Sequence, residues 1–129
     1  MTFEQHGHYE LELNGNILFV VAKGEWNAEA SINIMRDIKH ITQGLHGKPW
    51  AMHIDVLSWV LGTPEFQQVV TAELLGLTHS AYVFDEGLAK LAQISSSQPK
   101  SDNHHWQMFN NHADALDWLK QQGFKLERK

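Results

Sequence analysis

The chain of 129 residues contains no cysteine, which excludes disulfides, thiol nucleophiles and zinc sites built on thiolates. This absence suits a reducing compartment, and we expect a cytoplasmic protein. Long apolar runs are missing too, since a run such as Ile17–Ala22 is far shorter than a membrane span. The opening residues, MTFEQHGHYE, lack the basic region and apolar run of a signal peptide. The sequence therefore predicts neither a secretion signal nor a membrane-spanning segment.

Positive charge and catalytic signatures are also scarce. Ten Lys and Arg residues stand against fifteen Asp and Glu, which gives a formal net charge of −5 without a basic cluster. Nucleic-acid binding requires a positively charged surface, so we expect no nucleic-acid partner. The sequence has no G-x-S-x-G motif, no Walker-type phosphate loop and no GxGxxG motif. We therefore expect no enzymatic activity and no cofactor.

The residues that are present alternate between strand and helix patterns. HYELEL at 8–13 alternates polar and apolar side chains, NGN at 14–16 predicts a tight hairpin turn, and ILFVVAK at 17–23 is typical of a central strand. Further strands are predicted for WAMHIDV at 50–56, AYVF at 81–84 and HWQMF at 105–109. We place Gly24-Glu25-Trp26 in a turn.

Four helices are predicted between and after these strands. The first carries an apolar stripe and stops at glycines 44 and 47, and the second begins at Thr63-Pro64 with an apolar face that runs to Leu77. The third follows Asp85, and the last ends at Gly123. The order β-β-α-β-α-β-α-β-α predicts an α/β fold. Its sheet is mixed and mainly parallel, has about five strands and opens with an antiparallel hairpin. We expect one domain over 1–129, with flexible ends at 1–7 and 125–129.

Four segments together resemble the SpoIIAA-like or STAS superfamily, whose founding members are anti-sigma-factor antagonists. The segments are NGNILFVVAKGEWN (14–27), GKPWAMHIDVLSWVLGTPE (47–65), AYVF (81–84) and FNNHADALDWL (109–119). The likeness is greatest to small stand-alone bacterial STAS-like proteins. It implies a mixed sheet with helices on one side, and action by binding rather than by turnover. Lipid-carrying CRAL-TRIO domains share this fold, which implies a second use for it.

The same resemblance raises the question of a phosphorylation switch at Thr63. In the antagonists, an acid ends the strand, and an Asp-Ser pair, whose serine is phosphorylated, begins the next helix. Asp55 matches the strand acid, but Gly62-Thr63 replaces the Asp-Ser pair, and Pro64 has no N–H group to donate to a phosphate. The alternative role for Thr63 is that of an ordinary helix N-cap, which we favour.

The carboxyl ends of the predicted strands define a candidate binding site. Ligands of open parallel sheets bind beyond these ends. We therefore predict a binding edge, called here the predicted binding edge, formed by Glu25, Trp26, Asp55, Trp59 and Thr63. Two alternatives stay open: Glu25 and Asp55 could converge as a carboxylate pair, or Asp55 could bond loop amides while Asn110 or Asn111 caps a helix.

Nine histidines are spread along the chain. His53 and Asp55 share a strand face because side chains alternate, but no His-x3-His or HExxH pattern occurs, and we expect no metal site. If the strand is buried, His53 should be neutral and hydrogen-bonded.

These observations predict a non-catalytic STAS-like module that regulates by binding a protein or a ligand. The alternative is a carrier of a small hydrophobic or lipid-like ligand, and a weaker alternative is an antagonist switched at Thr63. We expect either a protein partner or a small hydrophobic ligand, and a homodimer is a further hypothesis.

Overall fold

The computed structural model describes residues 7–25, 28–60, 74, 76–84 and 104–127. Within these residues it contains five strands and two α-helices, and a turn of 3-10 helix, Gln43–Leu45, follows the first helix. The elements in chain order are β1 His8–Asn14, β2 Ile17–Glu25, α1 Ala28–Thr42, β3 Trp50–Val60, β4 Leu77–Val83, β5 His105–Phe109 and α2 His112–Gln121. The predicted second and third helices, at 63–77 and 86–94, fall largely outside the described residues.

The five strands form one sheet in the order β1-β2-β3-β4-β5. β1 pairs with β2 antiparallel, and the remaining neighbours are parallel, as the sequence predicted. Asn14 pairs with Ile17 across the hairpin, so the turn consists of Gly15 and Asn16 alone. Gly15 has a φ of 63°, which matches the first central position of a type II′ turn, where glycine is preferred.

The apolar side chains divide into two clusters, one on each face of the sheet. Successive side chains of a strand point to opposite faces. Even-numbered residues of β2 and β3, including Leu18, Val20 and Met52, pack with Ile34 and Ile38 of α1. Odd-numbered strand residues, namely Ile17, Ala51, Ala81 and Val83, pack with Ala115 and Leu119 of α2 and with Phe124 after it. The two described helices therefore cover opposite faces, and the arrangement with helices on one side is wrong.

Three boundaries differ from the sequence predictions, and in each case strand pairing is the reason. β3 continues past residue 56 to Val60, so Trp59 lies in a strand rather than in a loop. Glu25 extends β2 instead of forming a turn, because it pairs with Val60. Leu77 begins β4 rather than closing a helix, since it pairs with Trp50. Backbone hydrogen bonds to a neighbouring strand override the local glycine and periodicity signals.

The C-terminal segment is fastened to the β1–β2 turn. The backbone N–H of Lys125 donates to Asn16 Oδ1 at 2.9 Å, and that of Glu127 donates to Asn14 Oδ1 at 2.8 Å. Before this segment, Gly123 has a φ of 101° and closes α2 with bonds from Gly123 and Phe124 to the carbonyls of Lys120 and Leu119. The flexible end that we predicted from residue 125 is thus held by hydrogen bonds through residue 127.

Neither described helix is long and apolar enough to cross a lipid bilayer.

Candidate functional site

Asp55 lies at the level where the sheet narrows. It pairs with Val83, and Val83 pairs with Phe109, so it is in register with the last residues of β4 and β5. Past this level β2 and β3 continue, with β1 beside β2 as far as Lys23, and the register of β2 and β3 shifts between Val21 and Lys23. Such a shift is a β-bulge, a feature that bends a strand and re-aims its side chains. From the pair Gly24–Trp59 onward, β2 and β3 therefore project past the other described strands as a two-stranded extension.

The Asp55 carboxylate holds this bulge and also binds α2. Its Oδ1 accepts a hydrogen bond from the backbone N–H of Leu57 at 2.9 Å. Its Oδ2 lies 3.0 Å from Nε2 of His112, the first residue of α2. The Asp55 side chain is 15% exposed and that of His112 is 56% exposed, so the pair meets solvent mainly through the imidazole. The expectation that Asp55 bonds a backbone amide is confirmed.

His53 lies beneath this pair on the same face of β3. Its ring stacks on His112 with 5.2 Å between ring centroids, and the ring of Phe19 on β2 lies 5.1 Å away on a tilted plane. Burial lowers the pKa of His53, although a hydrogen bond to the backbone of His112 opposes the shift. His53 is 3% exposed and is therefore neutral near pH 7, as the sequence predicted.

The start of α2 fixes the position of His112. Asn111 is the N-cap, and its Oδ1 accepts a hydrogen bond from the backbone N–H of Asp114 at 2.8 Å. Its Nδ2 also donates to Asn110 Oδ1 and to Asp114 Oδ2. The helix therefore begins at a defined residue, and the imidazole of its first residue is directed to Asp55. The capping role that the sequence suggested for Asn110 or Asn111 belongs to Asn111.

The chemistry available here is that of an oriented, solvent-facing imidazole. An Asp–His pair can hold a proton on the ring, and a general base requires a nucleophile or a metal-bound water beside it. Among the residues that the structure describes, no three His, Asp or Glu side chains are placed to hold a metal ion. The arrangement provides an oriented, exposed polar group at the end of β3.

The residues of the predicted binding edge do not all meet. Asp55 pairs with Val21, whereas Glu25 lies four residues further along β2, about 13 Å at the usual rise of a strand. The backbones of Glu25 and Asp55 are thus separated, and their convergence as a carboxylate pair is not supported. Trp59 pairs with Gly24, next to Glu25 on the extension. Trp26 and Thr63, including the proposed switch, lie outside the described residues.

His112 is the functional residue that the sequence analysis missed. A signal was present, because His112 follows the predicted cap residues Asn110 and Asn111 at the start of a helix after the last strand. The carboxyl ends of parallel strands meet at one edge of a sheet, so such a helix start lies near the end of the neighbouring strand. The contact with Asp55 still depended on the packing of α2 over β3, which local patterns do not specify.

Comparison with known proteins identifies the fold. No protein-family model and no curated protein sequence matches the chain. A protein of the DUF3478 family with a SpoIIAA-like fold, from Shewanella loihica PV-4, superposes with a TM-score of 0.66 at 17% sequence identity. The match covers 92% of this chain and 98% of that one. An anti-sigma factor antagonist from Mycobacterium paratuberculosis superposes with a TM-score of 0.56 at 14% identity, over 93% and 99% of the two chains.

These likenesses span nearly the whole chain and show a SpoIIAA-like fold. They confirm the predicted α/β class with a mixed five-stranded sheet.

Proposed function

We propose that this protein is a non-catalytic, STAS-like regulatory module that binds a protein partner at the carboxyl ends of its parallel strands. The binding surface, called here the carboxyl-end surface, includes Asp55, Leu57 and His112. The extension with Glu25 and Trp59 continues it, and Trp26 and Thr63 follow these strands in the sequence. The fold supports the proposal, because one structural neighbour is an anti-sigma factor antagonist.

The observation that carries this proposal is the exposure of Leu57 in the bulge that the Asp55 carboxylate holds. Within the described residues, Leu57 and Ile32 are the two large hydrophobic side chains that are exposed, at 37% and 53%. Leu57 lies in the β3 bulge, and its backbone N–H and the exposed His112 imidazole contact the two oxygens of one carboxylate, that of Asp55. An exposed apolar side chain and an oriented polar group on the same surface give a partner both buried area and a polar contact that fixes its orientation.

Ile32 offers a matched control for a test of this surface. It belongs to α1, which covers the face of the sheet opposite α2. Each variant, Leu57→Glu or Ile32→Glu, adds one charge at an exposed apolar position. We expect Leu57→Glu to abolish partner binding, because Leu57 belongs to the proposed surface. We expect Ile32→Glu to preserve binding, because Ile32 does not. Proteins retained from a lysate of the source organism by wild type and by Ile32→Glu, but lost with Leu57→Glu, are the candidate partners.

The decisive step uses a purified candidate partner. Isothermal titration calorimetry should show binding to wild type and to Ile32→Glu with similar affinity. Binding to Leu57→Glu should be weaker by about tenfold or more, as for the loss of a central contact. Equal affinities for all three proteins would place the interface elsewhere and overturn the proposal. Native mass spectrometry of the purified protein would reveal a homodimer or a retained ligand in the same preparation.

Two further hypotheses remain predictions from the sequence. The first is a carrier of a hydrophobic ligand, which requires an apolar cavity. The second is phosphorylation at Thr63, a residue that lies outside the described part of the chain. Intact-mass measurement after kinase treatment in a cell lysate would test the second.

A further inference from the structure

A second feature lies at the amino ends of the parallel strands, away from the carboxyl-end surface. A pocket of about 730 Å³ opens between the starts of β4 and β5, the loop before β3 and the end of α2. Its lining includes Lys48, Thr78, His79, His105, Gln122 and Phe124. Lys48, His105 and Gln122 are exposed residues, so the pocket is open to solvent. Its volume lies in the range of small-molecule sites.

The charged and polar groups of this pocket include several hydrogen-bond donors. Lys48 contributes a cation, while His79 and His105 contribute two imidazoles that pair across β4 and β5 with 4.9 Å between ring centroids. Among the residues that the structure describes, none of those lining the pocket is an Asp or a Glu. In a chain of net charge −5, a described lining with one lysine, two histidines and no carboxylate is suited to an anion.

The surroundings of His79 favour its neutral form. Its Nδ1 lies 2.9 Å from the Thr78 hydroxyl, and when that hydroxyl donates, the neutral ring carries its proton on Nε2. Burial lowers the pKa of His79, and the neighbouring His105 and His104 lower it further. A bound anion opposes all three effects, because it favours the protonated ring. The titration of the His79 ring should therefore respond to a bound anion.

Part of the pocket lining is aromatic. Phe124, which lines the pocket, meets His79 edge-on with 5.1 Å between ring centroids. Trp118 of α2, which is not a lining residue, also contacts the His79 ring, with 5.6 Å between ring centroids. Planar rings of this kind pack favourably against a planar aromatic ligand. The pocket therefore offers a ligand two aromatic rings, those of His79 and Phe124, as well as the positive charge of Lys48.

We propose that this pocket binds a small aromatic carboxylate, whose carboxylate meets Lys48 and the two imidazoles while its ring packs against His79 and Phe124. The site is independent of the protein-binding surface proposed above. It would make the protein a receptor for a small organic anion at one end of the sheet.

Benzoate is a suitable probe, with the neutral benzamide as its control. Titration followed by NMR should shift the ring signals of His79 and His105 and the amide signals of Gly123 and Phe124. We expect a dissociation constant on the order of 1 mM for benzoate and much weaker binding of benzamide. Benzoate should also raise the titration midpoint of the His79 ring. The other titratable groups around this ring are His105, His104 and Lys48.

Two exposed positions allow the site to be altered without disturbing the core. Lys48→Gln and His105→Gln should each weaken benzoate binding about threefold to fivefold. Lys39→Gln on α1 is the control for Lys48→Gln, because it also removes one lysine charge but on the opposite face of the sheet, and it should leave benzoate binding unchanged. Equal binding of benzamide, equal effects of Lys48→Gln and Lys39→Gln, or shifts that map away from the pocket would each overturn the proposal.

Discussion

Asp55 performs two tasks with its two carboxylate oxygens. Oδ1 holds the backbone of the β3 bulge through Leu57, and Oδ2 binds the first residue of α2 through His112. The first contact shapes the strand, and the second joins the strand to a helix that is distant in sequence. A single side chain therefore links the exposure of Leu57 to the placement of His112, the two features on which the proposed protein-binding surface depends.

The two tasks can be separated by substitution. Asp55→Asn keeps an oxygen for the Leu57 amide but removes the charge, and we expect a loss of about 0.5–1 kcal/mol in unfolding free energy, since His112 is half-exposed. Asp55→Ala removes both contacts and should cost about 1–3 kcal/mol. Urea denaturation measures both values. His112→Ala, as a control, should resemble Asp55→Asn, and equal costs for the two Asp55 variants would contradict the role of Oδ1.

At this scale the sequence predicted part of the site. The shared face of His53 and Asp55 followed from strand alternation, and the neutral, buried state of His53 followed from the apolar strand around it. The pairs Asp55–His112 and His79–His105 did not follow, because each joins different elements and depends on how strands and helices pack.

The β1–β2 hairpin shows how an element can depend on a distant segment. Asn14 and Asn16, at the two ends of its turn, accept hydrogen bonds from the backbone of Glu127 and Lys125. A Cβ atom on Gly15 would lie 2.0 Å from the carbonyl oxygen of Lys125. The turn signal NGN therefore specifies more than a hairpin, since its glycine also leaves space for the C-terminal segment.

Gly15→Ala tests this dependence. The substitution places a side chain at a φ of 63° and against the Lys125 carbonyl, so we expect a loss of about 2 kcal/mol or more in unfolding free energy. Hydrogen exchange of the Lys125 and Glu127 amides should accelerate. Gly44→Ala is the matched control, because a Cβ there meets nothing within 4 Å. Similar stability of the two variants would show that the segment does not constrain the turn.

On the scale of the whole molecule, buried histidines couple folding to pH. Burial is the largest cause of the lowered pKa values of His53, His79 and His104. The folded protein then binds fewer protons than the unfolded chain between these lowered values and the ordinary histidine pKa of about 6.5. The stabilisation that comes from burying these histidines in their neutral form is fully present above about pH 6.5, and it is lost as the pH falls below that value.

We therefore expect the urea midpoint to be lower at pH 5 than at pH 7.5. In His53→Gln, the difference between the two midpoints should be smaller than in wild type, because one buried imidazole no longer resists protonation. His40→Gln, an exposed position on α1, is the control and should leave the wild-type difference unchanged. A His53→Gln difference as large as that of wild type would show that His53 does not contribute to this pH dependence.

The order of strands and the hairpin followed from local patterns in the sequence, because alternation, apolar runs and turn residues act over a few neighbouring positions. The resemblance to SpoIIAA-like proteins rested on the same order and spacing. The length of β3, the distribution of helices over both faces and the contact of His112 with Asp55 were decided by tertiary structure. Each depends on hydrogen bonding or packing between segments far apart in the chain, and a local pattern carries no information about which distant partner a residue will meet.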